Sequence, residues 1–340
     1  MKEPLFKIRD KGRYGFINAG GEVVIEPQYV QAEDFYHGFA RVRLNDKLVH
    51  LDQLGRPLLK HLFNFVGLFE EKLARVQLIK RWGYMDERGN IAIDIQYEDA
   101  GDFSEQLAAV SLHHSYGYIN PDDRFVIPPR FEKAHIFRHG LAAVQYNQKY
   151  GYIDQAGQWP IKPQFESAFS FQGEVAVVVE ARKWGLIDRS GNYLLAPQFD
   201  YLADYANGEF FDGMALVVQN QHFGFVNQAG QIVVSPRYTS AGDFGEGLAP
   251  VQENGQFGYI TRQGDLHIQP QYRDAGVFSD GLAQVNTGEK WGYINREGEM
   301  IIAPAFDAVL PFRNGRALVE RGGFWAYIDR AGEVVWREQA

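Results

Sequence analysis

The 340-residue chain has no cysteine, 36 glycines, 14 prolines and a formal net charge of −9. Disulfide and thiolate chemistry are excluded, and nucleic acid is disfavoured as a partner, because counterion release needs clustered Lys and Arg rather than an acidic excess. No apolar run is long enough to span a bilayer as a helix, and Met1-Lys2-Glu3-Pro4-Leu5 lacks the apolar stretch of a signal peptide, so a cytoplasmic location without membrane insertion is expected.

The first predicted element is a strand, Leu5-Phe6-Lys7-Ile8, and the second is Tyr14-Gly15-Phe16-Ile17-Asn18. That second pattern (aromatic, glycine, aromatic, aliphatic, Asn or Asp) recurs down the whole chain. Its leading positions are Tyr14, Leu48, Trp82, Tyr116, Tyr150, Trp184, Phe223, Phe257, Trp291 and Trp325, and every interval is 34 residues except Trp184 to Phe223, which is 39. A fixed period of this size marks a repeat architecture, so one array over residues 1–340 is expected in place of several unrelated domains. The Gly and Pro inside every unit, with β-branched runs, exclude the helical repeat of the same period.

Each unit reads as three short strands. The first carries Leu-Ala-x-Val, as in Leu73-Ala74-Arg75-Val76, and its last apolar position is β-branched throughout: Ile8, Val42, Val76, Val110, Val144, Val178, Val217, Val251, Val285 and Val319. Such residues suit a packed pleated surface. The second strand is the aromatic–glycine motif. A hairpin follows, with Asp first and Gly fourth in Asp52-Gln53-Leu54-Gly55 and Asp154-Gln155-Ala156-Gly157. The first residue can hold its own turn and the glycine accepts positive φ, so these acids are expected to be turn formers rather than metal ligands. The third strand is aliphatic, as in Val23-Val24-Ile25, and Pro27-Gln28-Tyr29 is expected to end it, because proline donates no ladder bond. Beyond it stands a phenylalanine in register: Phe35, Phe69, Phe103, Phe137, Phe171, Phe210, Phe244, Phe278 and Phe312, expected to form a buried ladder.

Lys290-Trp291-Gly292-Tyr293-Ile294-Asn295, followed by Gly298 and Pro304-Ala305-Phe306, resembles the WG-repeat (KWG-repeat) family of bacterial proteins over essentially the whole chain. The departures are Leu48-Val49-His50 and Trp325-Ala326. The resemblance implies an all-β repeat scaffold that binds something, and it brings no catalytic motif. The expected fold is an open β-solenoid or superhelix of ten three-stranded meanders, with a closed β-propeller-like ring as the alternative. The open form is preferred because the chain begins on a first strand and stops after a third, splitting no unit between its ends.

No catalytic residue, cofactor or metal is expected. His113, His114, His135 and His139 are the densest histidine group but lack ligand spacing. Arg13, Lys47, Arg81, Lys149, Lys183 and Lys290 precede the leading residue, while Glu71, Glu105, Asp212, Glu246 and Asp280 recur after the phenylalanine; both ladders are expected to pair within the molecule. The five-residue excess before Phe223 is aromatic and acidic. Tyr201, Asp204, Tyr205, Glu209, Phe211 and Asp212 are the candidate partner-binding residues, suited to a protein with a basic surface. The expected function is a non-enzymatic scaffold for protein–protein interaction, as adaptor, assembly factor or antagonist. The alternative is a carbohydrate or cell-wall binding module, which requires Trp82, Trp184 and Trp291 to face solvent.

Overall fold

The computed structural model describes residues 3–44, 47–58, 63–202 and 209–338, and among these there are strands and turns but no helix. The chain packs as two compact units, Met1–Ala181 with Ile187–Asn192, and Arg182–Leu186 with Tyr193–Ala340. Each is a succession of small antiparallel sheets.

Among the described residues eight sheets have four strands, the first in the chain has three and the second two. Asp99–Ala100, Ala108–Leu112, Ser115–Ile119 and Phe125–Phe131 hydrogen-bond in that order, each antiparallel to the next. Three of these strands follow the sequence pattern. The fourth corrects it: Asp99–Ala100 lies between Ile95-Gln96-Tyr97, where isoleucine stands in place of the proline of other repeats, and Phe103, and is two residues long. It pairs Ala100 with Val110 of the Leu-Ala-x-Val strand, and two residues are too few to carry any alternation.

The proline expectation is corrected as well. Val23–Tyr29 runs straight through Pro27. Tyr14 pairs with Tyr29 and Phe16 with Ile25, so Glu26, Pro27 and Gln28 together oppose the single Gly15. Proline is tolerated because this strand ends its sheet and bulges at that point. The bulge also explains the glycine. A Cβ on Gly15 would lie 2.4 Å from the Ile25 carbonyl oxygen and 2.6 Å from the Pro27 nitrogen. A nitrogen pressed there carries no hydrogen to leave unsatisfied, because it is proline's.

The core sits between consecutive sheets. Tyr84, Ile93 and Tyr97 pack on Ala108, Val110 and Ile119 of the following sheet, while Val66, Ala74, Val76 and Met85 cluster with Phe63, Phe69 and, from the preceding sheet, Phe39. Both faces of a sheet are therefore covered, which is why the β-branched position is buried in Val76, Val110 and Val144. The phenylalanines pack edge-on against the second aromatic of the motif: Tyr84–Phe103, Tyr118–Phe137, Tyr152–Phe171, Phe225–Phe244 and Tyr293–Phe312 have ring centroids 4.7–4.9 Å apart. Burying such a ring contributes on the order of 2–3 kcal/mol. The tyrosines keep their hydroxyls satisfied, as Tyr84 Oη donates to the Gly101 carbonyl at 2.7 Å and Tyr118 Oη to that of His135 at 2.7 Å. Seven of the nine phenylalanines are buried, but Phe35 and Phe210 are only half-buried, so the ladder is not uniform.

Candidate binding surface

The hairpin acids build turns. Asp86 Oδ1 accepts from the Arg88 and Asn90 amides at 2.9 and 2.8 Å, and Asp188 Oδ1 from Ser190 and Asn192 at 2.8 and 2.9 Å. Slight burial pushes the Asp188 pKa up, but the hydrogen bonds from Asn192, Ser190 and Gly191 outweigh it and hold it below the usual value. The turn glycine has a second reason to be glycine. Gly264 has φ +86, and a Cβ there would meet Val234 Cγ2 of the preceding sheet at 2.8 Å.

The acidic ladder is spent inside the molecule, and the basic one in part. Glu105 Oε2 accepts from the Gly140 amide at 2.9 Å, Asp212 from Gly247 at 2.6 Å and Asp280 from Gly315 at 2.7 Å. Each carboxylate thus staples its sheet to a turn of the next, 35 residues on. Lys183 Nζ lies 2.5 Å from Asp200 Oδ1, and Lys290 pairs with Asp307 in the same relation. Asp200 is held below the usual carboxylate range first by Lys183 and then by the Asn220 amide; Lys290 and the Gly322 amide do the same for Asp307.

The histidines do not converge. His113 and His114 form the turn between two strands, both with positive φ, and the His114 amide donates to Glu98 at 2.7 Å. His135 is half-buried beside Tyr150, and its pKa is lowered by burial and then by Lys133. His139 is exposed at another turn. Among the described residues no group of three or more His, Cys, Asp or Glu is placed to hold a metal ion. No helix is long and apolar enough to cross a membrane.

Of the sequence-derived partner residues, Asp204 and Tyr205 lie outside the described residues. Tyr201 is in a two-residue strand opposite Val218. Glu209 and Phe211 are half-buried, and Phe211 exchanges backbone hydrogen bonds with Met214 at 2.8 and 2.9 Å. That is the same two-residue turn that links Ser104 to Leu107, so the repeat has resumed by Phe211. Asp212 belongs to the staples and also meets Arg262 at 3.1 Å.

Trp82, Trp184 and Trp291 are half-buried. Trp82 stands against Phe65 with Arg75 over its ring, and Trp291 packs on the core of its own sheet. The repeated tryptophans therefore offer no fully exposed stack. What does face solvent is the opening of the third strands. In the second compact unit Tyr193, Leu194, Ile232, Leu266, Met300, Ile301 and Val334 are 38–61% exposed. The sequence presents these as ordinary strand aliphatics. Their signal was faint: two apolar residues in succession precede the alternation, as in Met300-Ile301, where a strand with one buried face would carry one.

A family model described as WG containing repeat matches residues 14–47, 51–78, 82–113, 116–150, 150–184, 184–221, 223–256, 257–291 and 291–324. No curated protein matches. Among solved structures, one described as the eukaryotic initiation factor is similar with a TM-score of 0.54 at 10% identity, covering 100% of this chain and 96% of its own. The dihydro-heme d1 dehydrogenase NirN in complex with DHE gives 0.40 at 11% identity, covering 98% and 77%. Hsv2p of Kluyveromyces lactis gives 0.37 at 10% identity, covering 71% and 96%. At such identities the first likeness speaks for the fold alone.

Proposed function

The chain belongs to the WG containing repeat family, and from that premise we propose that it is a non-enzymatic scaffold that binds another protein. The observation that carries this reading is the run of exposed Tyr193, Leu194, Ile232, Leu266, Met300, Ile301 and Val334 at the strands that end successive sheets of the second compact unit. Repeated large apolar side chains on a surface, set among polar residues, are a feature of protein interfaces. Most carboxylates at the repeated positions, and some of the lysines, are occupied in turns, staples and ion pairs, as Asp188, Asp280 and Lys183 are. The net charge of −9 suits a partner with a basic surface and steers its approach. An adaptor, an assembly factor or an antagonist of another protein would use such a surface in the same way.

The test is affinity capture from native lysate with the full chain and with a variant carrying Leu194→Lys, Ile232→Lys and Ile301→Lys. The expected result is loss of the captured protein with the thermal midpoint preserved. Undiminished capture by the folded variant would exclude this surface.

A further inference from the structure

One hollow breaks the repeat pattern in composition, shape and charge. In the first compact unit, Tyr146-Asn147-Gln148-Lys149 turns between the strands Leu141–Tyr146 and Lys149–Asp154, with positive φ at Asn147 and Gln148. Facing that turn is Trp159, at a position where other units carry an aliphatic such as Val23, Ile91, Ile232 or Met300. Trp159 is held from behind: its ring meets buried Phe131 edge-on at 5.9 Å and 87°. Tyr146 packs against it, centroids 6.2 Å apart and tilted by 58°. Beside this aromatic pair is a hollow of about 450 Å³, completed by Asn147, Lys149, Lys162 and Pro163.

No carboxylate lines this hollow, in a protein of net charge −9. The lysines also depart from their neighbours' habit. Lys183 and Lys290, at the position of Lys149 in other repeats, are bound to Asp200 and Asp307. Lys149 and Lys162 have no ion-pair partner among the described residues. The nearby Glu132 is engaged by the Gln148 amide at 3.1 Å.

We propose that this cleft binds a carboxylated pyranose ring, a uronic-acid residue of an acidic saccharide. The tilt of the two rings leaves no parallel sandwich for a flat base. A puckered ring can instead lay its C–H face on Trp159 and its edge on Tyr146. Its carboxylate then meets the two ammonium groups, and Asn147 offers both a donor and an acceptor to its hydroxyls. The volume is within the range of small-molecule sites, and a rigid aromatic floor with few polar groups is their usual composition. The assignment is independent of the protein-binding surface, which lies in the other compact unit.

Titration of the full chain with trigalacturonate, followed by calorimetry and tryptophan fluorescence, tests it. Saturable binding is expected, weakened about tenfold or more by Trp159→Ala, by Lys149→Gln with Lys162→Gln, and by methyl esterification of the sugar, each factor of ten being about 1.4 kcal/mol. The lysine variant keeps the test valid if removal of Trp159 disturbs the fold, since neither lysine supports the core. No binding at concentrations up to about 10 mM, a range that includes very weak ligands, would overturn the proposal. So would equal binding of a polyglutamate peptide or inorganic phosphate, which would reduce the cleft to an anion site.

Discussion

A methyl group added to Gly83 would sit 2.6 Å from the Ile93 carbonyl oxygen and 2.7 Å from that of Asp94, with nothing but backbone to yield. Gly83→Ala is therefore expected to destabilise by about 3 kcal/mol, the upper range for overpacking, as a drop in the urea midpoint. The last repeat supplies the control. There Ala326 replaces the glycine, and the register shift falls only after Tyr327, so no bulge crosses position 326. Ala326→Gly should accordingly change the midpoint little, and a comparable loss in both variants would show that the bulge is not the reason. Val49, in the other departing repeat, is buried and pairs with Val42, and on the far side of its strand the described residues form only isolated bridges, Leu48 to Phe63 and Leu51 to Pro57. The sequence made the recurrence of the glycine plain but not its cause, since its φ is not positive and the clash comes from residues ten and more positions away. The phenylalanines were more legible. Phe103 is buried edge-on to Tyr84, and Phe103→Ala is expected to cost about 3–5 kcal/mol in equilibrium unfolding. Unchanged stability would remove this pair from the core.

At the scale of elements, three strands of every sheet but the second were readable because their patterns are long enough to repeat: the β-branched position, the aromatic–glycine step and the aliphatic run. The two-residue strand exemplified by Asp99–Ala100 was not, because its place is set by pairing with Val110 and Ser111 rather than by its own residues. The candidate partner segment was legible only as an excess of five residues. The structure narrows it, since Tyr201–Leu202 already pairs with Val217 and Val218, and Phe211 with Met214. Deleting Ala203–Asn207 restores the 34-residue interval and leaves both pairings in place. The variant is expected to keep its thermal midpoint, because the length of chain between two fixed pairings changes closure entropy only slowly. It should nonetheless capture its protein partner more weakly. Native stability together with undiminished capture would place the interface elsewhere, on the third-strand openings alone.

For the whole molecule, the two stacking devices respond differently to pH, and the difference can be measured. His50 occupies the position that holds Phe16, Tyr84 and Tyr118 in other repeats, buried against Phe69 at 4.6 Å. Neither ring nitrogen makes a hydrogen bond of normal geometry. Burial, then the nearby Arg41 charge, lowers its pKa from 6.5 to about 4, against a smaller opposing pull from the Gly67 carbonyl. A histidine depressed in the folded state binds its proton more readily when unfolded. Its contribution is complete above pH 6.5 and is lost as pH falls from there toward 4, by about 2 kcal/mol at pH 5. The carboxylates act lower. Glu98, Asp188, Asp200 and Asp307 are depressed in the folded state, so their contribution is present above their unfolded values and is lost only as pH falls below the ordinary carboxylate range. The native chain should therefore lose thermal stability in two stages, one beginning near neutrality and one below about pH 4. His50→Phe, the residue that position 16 already carries, should shrink the first stage to what His135, also depressed by burial, contributes, and leave the second. Parallel pH profiles for the two proteins would mean that His50 is solvated or hydrogen-bonded in solution, and that the first stage has another origin.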